Sequence, residues 1–254
     1  MKSIDLLLKN CDALIYDQDS NSLKRSLVDI AIKDGLILDL ANSINLPAAQ
    51  VINLKGLTVL PGVIDSQVHF REPGLTHKED LETGTRAAVL GGVTSVFEMP
   101  NTTPSTSTKE AFNEKLRLAK NRAHCHYAFF IGASHDNIDR LLELEKLEHC
   151  SGIKVFLGAS FGSLLVDDDS LFEKVMQNGN RRLTIHSEDE ARLQERKHIA
   201  IEAGHPRVHH IWRDEESALI STKKSIALAK KYNRLVHILH VSSMEEMDFL
   251  SQHK

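Results

Sequence analysis

The feature that most constrains the fold is a change of rhythm at Gly56. Beyond it, apolar runs of strand length alternate with longer stretches at helical spacing. Strands are predicted at 58–64, 94–99, 124–131, 152–157, 182–186 and 235–241. Helices are predicted at 77–90, 108–121, 136–148, 169–177, 188–202 and 214–232, and Ser243 opens another. In the helix at 214–232, Ala218, Leu219, Thr222, Ile226 and Ala229 fall on one stripe, close to the helical period. Such alternation demands parallel strands, because a parallel neighbour is reached only through a crossover, usually a helix. A doubly wound sheet and a (β/α)8 barrel both satisfy it. A barrel takes about 250 residues, more than lie from 57 to 254, so an α/β barrel in this chain is expected to be incomplete.

Residues 1–56 read differently. Bursts of Ile, Leu and Val at 4–8, 13–16, 28–32, 36–40 and 51–54 are separated by Asp, Asn, Ser and Gly, as at Asp34-Gly35. This pattern predicts short antiparallel strands joined by tight turns. So small a sheet must lean on another layer. The expected organisation is 1–56 as N-terminal strands and 57–254 as the first six or so βα units.

Composition removes several classes of function. The 31 Lys and Arg stand against 35 Asp and Glu, a formal charge of −4, without the basic excess of a general nucleic-acid binder. No apolar stretch nears the roughly 20 residues that span a bilayer. The apolar run between Asp5 and Lys9 is too short for a signal peptide. Cys11, Cys125 and Cys150 form no CxxC pair and read as free thiols of a reducing compartment. A cytoplasmic protein without nucleic-acid or membrane partners is expected. There is no GxGxxG, P-loop or GxSxG, so dinucleotide, ATP and serine-hydrolase chemistry lack support.

Chemistry in parallel α/β folds gathers beyond the carboxyl ends of the strands. There the chain places Asp65, Gln67, His69 and Arg71, then Glu98 and Asn101. Lys154 lies inside the apolar run GIKVFLG, and His186 and His240 close the fifth and sixth strands. One histidine at a strand end is most often a hydrogen-bonded structural residue. Three from three strand ends are harder to explain that way, because barrel strands converge on one mouth and neutral imidazole is a good zinc ligand. Lys154 facing inward would be costly as an ammonium. Burial favours its amine, which can take up CO2 to form a carbamate, an anionic two-oxygen ligand able to bridge metal ions. The alternative is a lysine at the rim, pointing into water. Arg71, two residues after His69, would face the same side on an extended segment. It suits a bidentate contact to a substrate carboxylate, or else a loop salt bridge to Glu72 or Glu79. Asn101 after Pro100 reads by itself as a turn residue. Three consecutive aspartates at 167–169 read as an exposed helix start, His209-His210 as a surface loop and Cys125 as core. His124 and His126 alternate along the third strand and could face the mouth.

Together, PGVIDSQVHFREPGLTHKEDLETGTRAAVLGGVTSVFEMPNTTP (61–104), IKVFLG (153–158), IHSEDE (185–190) and HILHVSS (237–243) resemble the amidohydrolase superfamily. Within it, they resemble the dihydroorotases of the long bacterial type, through nearly the whole chain. The resemblance implies a (β/α)8 TIM-type barrel and a small β-sandwich built from both chain ends, to which residues 1–56 would belong. It implies one or two Zn2+ ions on His69, Lys154, His186 and His240, with Lys154 as the carboxylated bridge. Arg71 and Asn101 match positions that would hold the carboxylate of dihydroorotate. FREPG and MPNTTP are the segments that separate this pattern from allantoinase and dihydropyrimidinase. The implied activity is reversible hydrolysis of the cyclic amide of dihydroorotate to N-carbamoyl-L-aspartate, a step of pyrimidine synthesis.

Two departures stand out. Where the family has His-x-His, this chain has Gln67-Val68-His69, and a glutamine carbonyl is a weaker zinc ligand than imidazole. Gln67 is therefore expected to weaken one metal position. The family's catalytic Asp would lie beyond Lys254, since typical members are longer, so the chain is expected to be an N-terminal fragment. One alternative is a non-catalytic scaffold subunit of aspartate transcarbamoylase, which Gln67 favours. The retention of His69, Lys154, His186, His240, Arg71 and Asn101 opposes it. The other is a related cyclic amidohydrolase of hydantoinase or allantoinase type. The implied partners are a small-molecule substrate and either a second copy of the chain or aspartate transcarbamoylase.

Overall fold

A computed structural model describes residues 3–160 and 162–253. The chain divides into two compact units, residues 1–62 and 63–254.

The first unit is one five-stranded sheet. At its centre lies β1 (Ile4–Asp17), flanked by β2 (Ser22–Lys33), which turns through Asp34-Gly35 into β3 (Leu36–Ala41). On the other side β4 (Ala48–Asn53) and β5 (Thr58–Val59) pair with β1. The bursts predicted at 4–8 and 13–16 are a single strand, because a bulge between Leu8 and Cys11 absorbs the polar interruption. Asn10 takes the positive φ of 55° at that bulge, and its N–H donates to Asp29 Oδ1 at 3.0 Å. Nor is every pairing antiparallel as predicted: β4 runs parallel to β1 after irregular chain carries it back to the start of that strand, and β5 continues in the same direction along the same edge. Ile4, Leu7, Ala31 and Ile44 pack as one buried cluster and Cys11, Ala13, Val28 and Ile30 as another.

The second unit alternates strand and helix: β6 (Val63–Val68), α1 (Leu81–Leu90), β7 (Val93–Glu98), α2 (Lys109–Ala119), β8 (His126–Gly132), α3 (Leu141–Leu144), β9 (Cys150–Phe156), α4 (Asp169–Gln177), β10 (Leu183–His186), α5 (Glu190–Ala203), α6 (His209–Trp212), α7 (Glu215–Lys231), β11 (Val236–Ile238) and α8 (Met244–Ser251). The six strands are parallel and stand in strict sequence order from β6 to β11. A doubly wound sheet reverses direction at a switch point. This one never does, which is the topology of consecutive barrel strands. Helix starts follow from local chemistry: Asp80, Thr108, Asp168, Asp189, Asp214 and Ser243 each accept a backbone N–H in the first turn of their helix.

Alternation along the strands separates two layers. Val96, Phe129, Ile131, Ile153, Val155, Leu183 and Ile185 pack with Phe112, Leu141, Phe172 and Val175 of the helices. On the opposite face Met99, Phe130 and Leu239 cluster with Phe97. Lys154 and His186 share the parity of that inner face. No helix among the described residues is long and apolar enough to cross a membrane.

Three expectations change. The strand predicted at 58–64 is cut by Pro61 and Gly62, so Thr58–Val59 joins the first sheet and Val63–Val68 opens the second. The helix predicted at 136–148 shrinks to a 3-10 turn at Ile138–Arg140 and the four residues of α3. There Asn137 spends its side chain on the turn, accepting from Ser134 N–H and donating to the Gly132 and Ser107 carbonyls. On α7 the buried positions are Ser217, Ser221, Thr222, Ser225 and Ala229. The packed face is therefore rotated toward serines, small enough for close approach, and away from Leu219.

Candidate active site

The strand ends position each side chain. Beyond β6, His69 is half-buried, and its Nδ1 lies 2.8 Å from Asn101 Oδ1 in the segment after β7. Burial is the main force holding His69 at a pKa of about 4, followed by the charge of Arg71. The ring is thus neutral and keeps a lone pair, as a metal ligand must. Arg71 has φ of 66°, so the segment is not extended there, and alternation does not place its side chain beside His69 as predicted. The loop salt bridges considered for Arg71 do not form: Glu72 pairs with Arg122 at 2.8 Å, and Glu79 accepts from Thr83 Oγ1 at 2.5 Å. Gln67 is half-buried on β6, where the register against β7 shifts between Asp65 and Val68. Glu98 is withdrawn from the mouth into an ion pair with Lys115 of α2 at 2.7 Å.

Lys154 occupies the middle of the sheet, between Gly132 of β8 and Thr184 of β10. It is 1% exposed, its Nζ has no hydrogen-bond partner, and Nζ lies over the Phe156 ring, 4.5 Å from its centroid. That burial excludes the rim lysine pointing into water, and it pushes the pKa of the amine far down. Two residues past β11, His240 turns through a positive φ of 37° and brings its Nε2 to 3.0 Å from Nδ1 of His186. Burial and the charge of His186 lower His240 to about 4, with Lys154 contributing; the charge of Lys154 also bears on His69. His69 with Asn101, and His186 with His240, are thus brought into contact, and Lys154 lies within electrostatic reach of both pairs.

His186 also lies 2.5 Å through Nε2 from Glu188 Oε2, and Arg213 grips the same carboxylate. Burial acts to raise Glu188, but hydrogen bonds from His186 and Arg213 outweigh it and hold the carboxyl at about 2. A cavity of about 480 Å³ opens here, lined among others by His186, Glu188, His209, Arg213, His240 and Ser242. Sequence reasoning missed Arg213 and the role of Glu188. The motif IHSEDE contained Glu188, but nothing in the linear order marks Arg213. His124 and His126 lie at the amino end of β8, away from the site; His124 Nε2 is 3.1 Å from Glu82. The predicted loop at His209-His210 is the helix α6, exposed at both histidines.

Among the described residues no cluster of three or more His, Cys, Asp and Glu has the geometry of a metal site. A lysine-containing set falls outside that definition. Two imidazole nitrogens that face each other, with a buried and partnerless amine in the same sheet, fit a divalent cation as a common partner.

The sequence pattern of the Amidohydrolase family matches residues 58–254, and the chain belongs to that family. It is 30% identical over 260 residues to the dihydroorotase of Methanosphaera stadtmanae, across 98% of this chain and 56% of that protein. It is likewise 30% identical over 250 residues to the allantoinase of Deinococcus radiodurans, across 95% of this chain and 54% of that protein. In structure it resembles the L-hydantoinase (dihydropyrimidinase) from Arthrobacter aurescens, with a TM-score of 0.87 and 24% identity, over 98% of this chain and 56% of that one. That likeness establishes the barrel fold. The chain spans about half the length of the curated relatives it matches.

Proposed function

We infer that this protein is a metal-dependent cyclic amidohydrolase whose substrate is dihydroorotate, opened reversibly to N-carbamoyl-L-aspartate. The observation that carries the reading is Lys154: a buried amine with no hydrogen-bond partner, in the same sheet as His186, whose Nδ1 faces Nε2 of His240 at 3.0 Å. A lysine left in this state is destabilising, and metal chemistry gives it a purpose. The uncharged amine adds to CO2, forming an N–C bond and releasing one proton, and the carbamate oxygens become ligands. Zn2+ fits the donor set, held by His69, Lys154, His186 and His240 with Gln67 as a weak fifth donor. When bound, it supplies Lewis acidity toward an amide carbonyl and a lowered pKa for water. Asn101 orients His69 through their hydrogen bond. The Arg71 guanidinium and the Asn101 amide are proposed to take the substrate carboxylate. The three free cysteines suit a reducing cytoplasm.

Relatives named dihydroorotase and allantoinase share the same 30% identity with this chain, which makes allantoin the second substrate to test. The full-length protein is assayed for ring closure of N-carbamoyl-L-aspartate and for hydrolysis of allantoin and a hydantoin, with metal content measured in parallel. Ring closure with bound zinc, lost together with the metal in Lys154→Ala, is expected. Arg71→Met should lower kcat/KM for dihydroorotate by about 10- to 150-fold, the worth of a hydrogen bond to a charged group. Turnover of a neutral hydantoin should be unaffected. No metal and no ring closure would instead favour the scaffold role.

A further inference from the structure

Resting on the metal-dependent reading, we propose that Glu188 and Arg213 are positioning residues that lock the His186 ring in the orientation and tautomer a metal ion requires. A neutral imidazole has one N–H and one lone pair, whereas an ionised carboxylate only accepts. Nε2 of His186 lies 2.5 Å from Glu188 Oε2, well inside its 3.4 Å from Arg213 Nη2, so Nε2 carries the hydrogen. The lone pair is left on Nδ1, the atom that faces His240 Nε2 at 3.0 Å. Glu188 thus decides which ring nitrogen is offered to the cation.

Arg213 decides where Glu188 points. Its Nε donates to Oε1 at 2.7 Å and its Nη2 donates to Oε2, a two-pronged contact that fixes the plane of the carboxylate. Arg213 is anchored in turn by its neighbour. Asp214 caps α7 and is gripped by Arg192 of α5 at 2.6 Å, with Arg196 at 3.4 Å. The backbone of Glu188 is constrained independently, because a Cβ on Gly158 would stand 2.7 Å from its carbonyl oxygen. A path of paired charges therefore runs from the α5–α7 helices to one nitrogen at the mouth of the sheet.

The test uses the full-length protein stripped of metal by a chelator. It is titrated with Zn2+ against a chromophoric competitor and with Co2+ for its visible absorption bands. Glu188→Ala should weaken Zn2+ binding about 10- to 100-fold, as loss of a carboxylate behind a ligating histidine does, and should alter the Co2+ spectrum. Its kcat should fall with KM little changed. Glu188→Gln, whose side-chain carbonyl still accepts the Nε2 hydrogen, should keep most of the affinity. Arg213→Met should lose affinity and Arg213→Lys recover part of it. If Glu188→Ala and Arg213→Met both bind Zn2+ and Co2+ as wild type does, while His186→Ala loses them, the positioning roles are refuted and the metal site stands. If wild type takes up no Zn2+, or His186→Ala binds it equally well, the metal reading itself fails. Should Glu188→Ala not fold, the Glu188→Gln and Arg213→Met titrations decide.

Discussion

Replacing Lys115 by methionine tests how this fold tolerates charge behind its active face. Lys115 of α2 is 0% exposed and Glu98 of β7 is 1% exposed, with 2.7 Å between their charges. Lys115 Nζ also donates to the Met99 carbonyl at 3.2 Å and lies 5.4 Å from the centre of the Phe129 ring. Neither Glu98 oxygen has an aligned hydrogen-bond partner among the described residues, so the ammonium is its main compensation. Removing one member of such a pair strands the other and costs about 3–5 kcal/mol. At about 2–4 °C per kcal/mol for a domain of this size, Tm should fall by about 6–20 °C. The sign with pH follows from Glu98. Burial raises its carboxyl and Lys115 opposes that. In Lys115→Met burial, the largest influence, is opposed only by the Phe70 backbone N–H, so folded Glu98 holds its proton more tightly than unfolded Glu98. Stability is then lost as pH rises above the ordinary glutamate value of about 4.3. Thermal melts of wild type and variant should therefore diverge increasingly as pH rises above that value. Adding Glu98→Leu should restore stability, to within about 1 kcal/mol of wild type or above it. A deficit under about 1 kcal/mol, or one that does not grow with pH, would refute the reading of Glu98 as a charge held by Lys115.

Other expectations are checked as directly. A Cβ at Gly84 of α1 would collide with the ring of Phe70, so Gly84→Ala should cost about 1–3 kcal/mol by overpacking, read from urea unfolding. Because Phe70 adjoins His69, the same variant should also bind Zn2+ more weakly; wild-type affinity would separate this packing from the site. Gln67→His should raise metal content per chain in elemental analysis, and an unchanged content would speak against Gln67 as the weak donor. Asp168→Ala removes the acceptor that caps α4 and should cost about 0.5–2 kcal/mol with no change in metal binding.

Strand and helix alternation was readable because it rests on local periodicity, and apart from β6 the parallel strands lie within a few residues of where the apolar runs put them. Side-chain caps such as Asp168 and Ser243 marked helix starts for the same local reason. Long-range pairing was not readable. The parallel return of β4 beside β1, the loss of most of the helix predicted at 136–148, and the rotated face of α7 each depend on partners distant in the chain. Among the candidate site residues, His69, His186 and His240 were marked by residue type at strand ends and Lys154 by its place inside an apolar run, whereas the roles of Arg71 and Asn101 came from the resemblance. Glu98 was also marked by residue type at a strand end, yet the pleat turns it to the helix layer, where Lys115 neutralises it.

By itself the order of residues determined which side chains stand at the ends of consecutive parallel strands, because alternation and apolar run length are properties of neighbouring residues. Tertiary structure alone decided that the strands follow one another without reversal and, on the positioning proposed above, which nitrogen of His186 is offered to a cation. On that proposal the nitrogen is chosen by a carboxylate two residues away, which is aimed by an arginine 25 residues further on. No local pattern carries such a choice, because it arises only when folding brings hydrogen-bond donors and acceptors within reach.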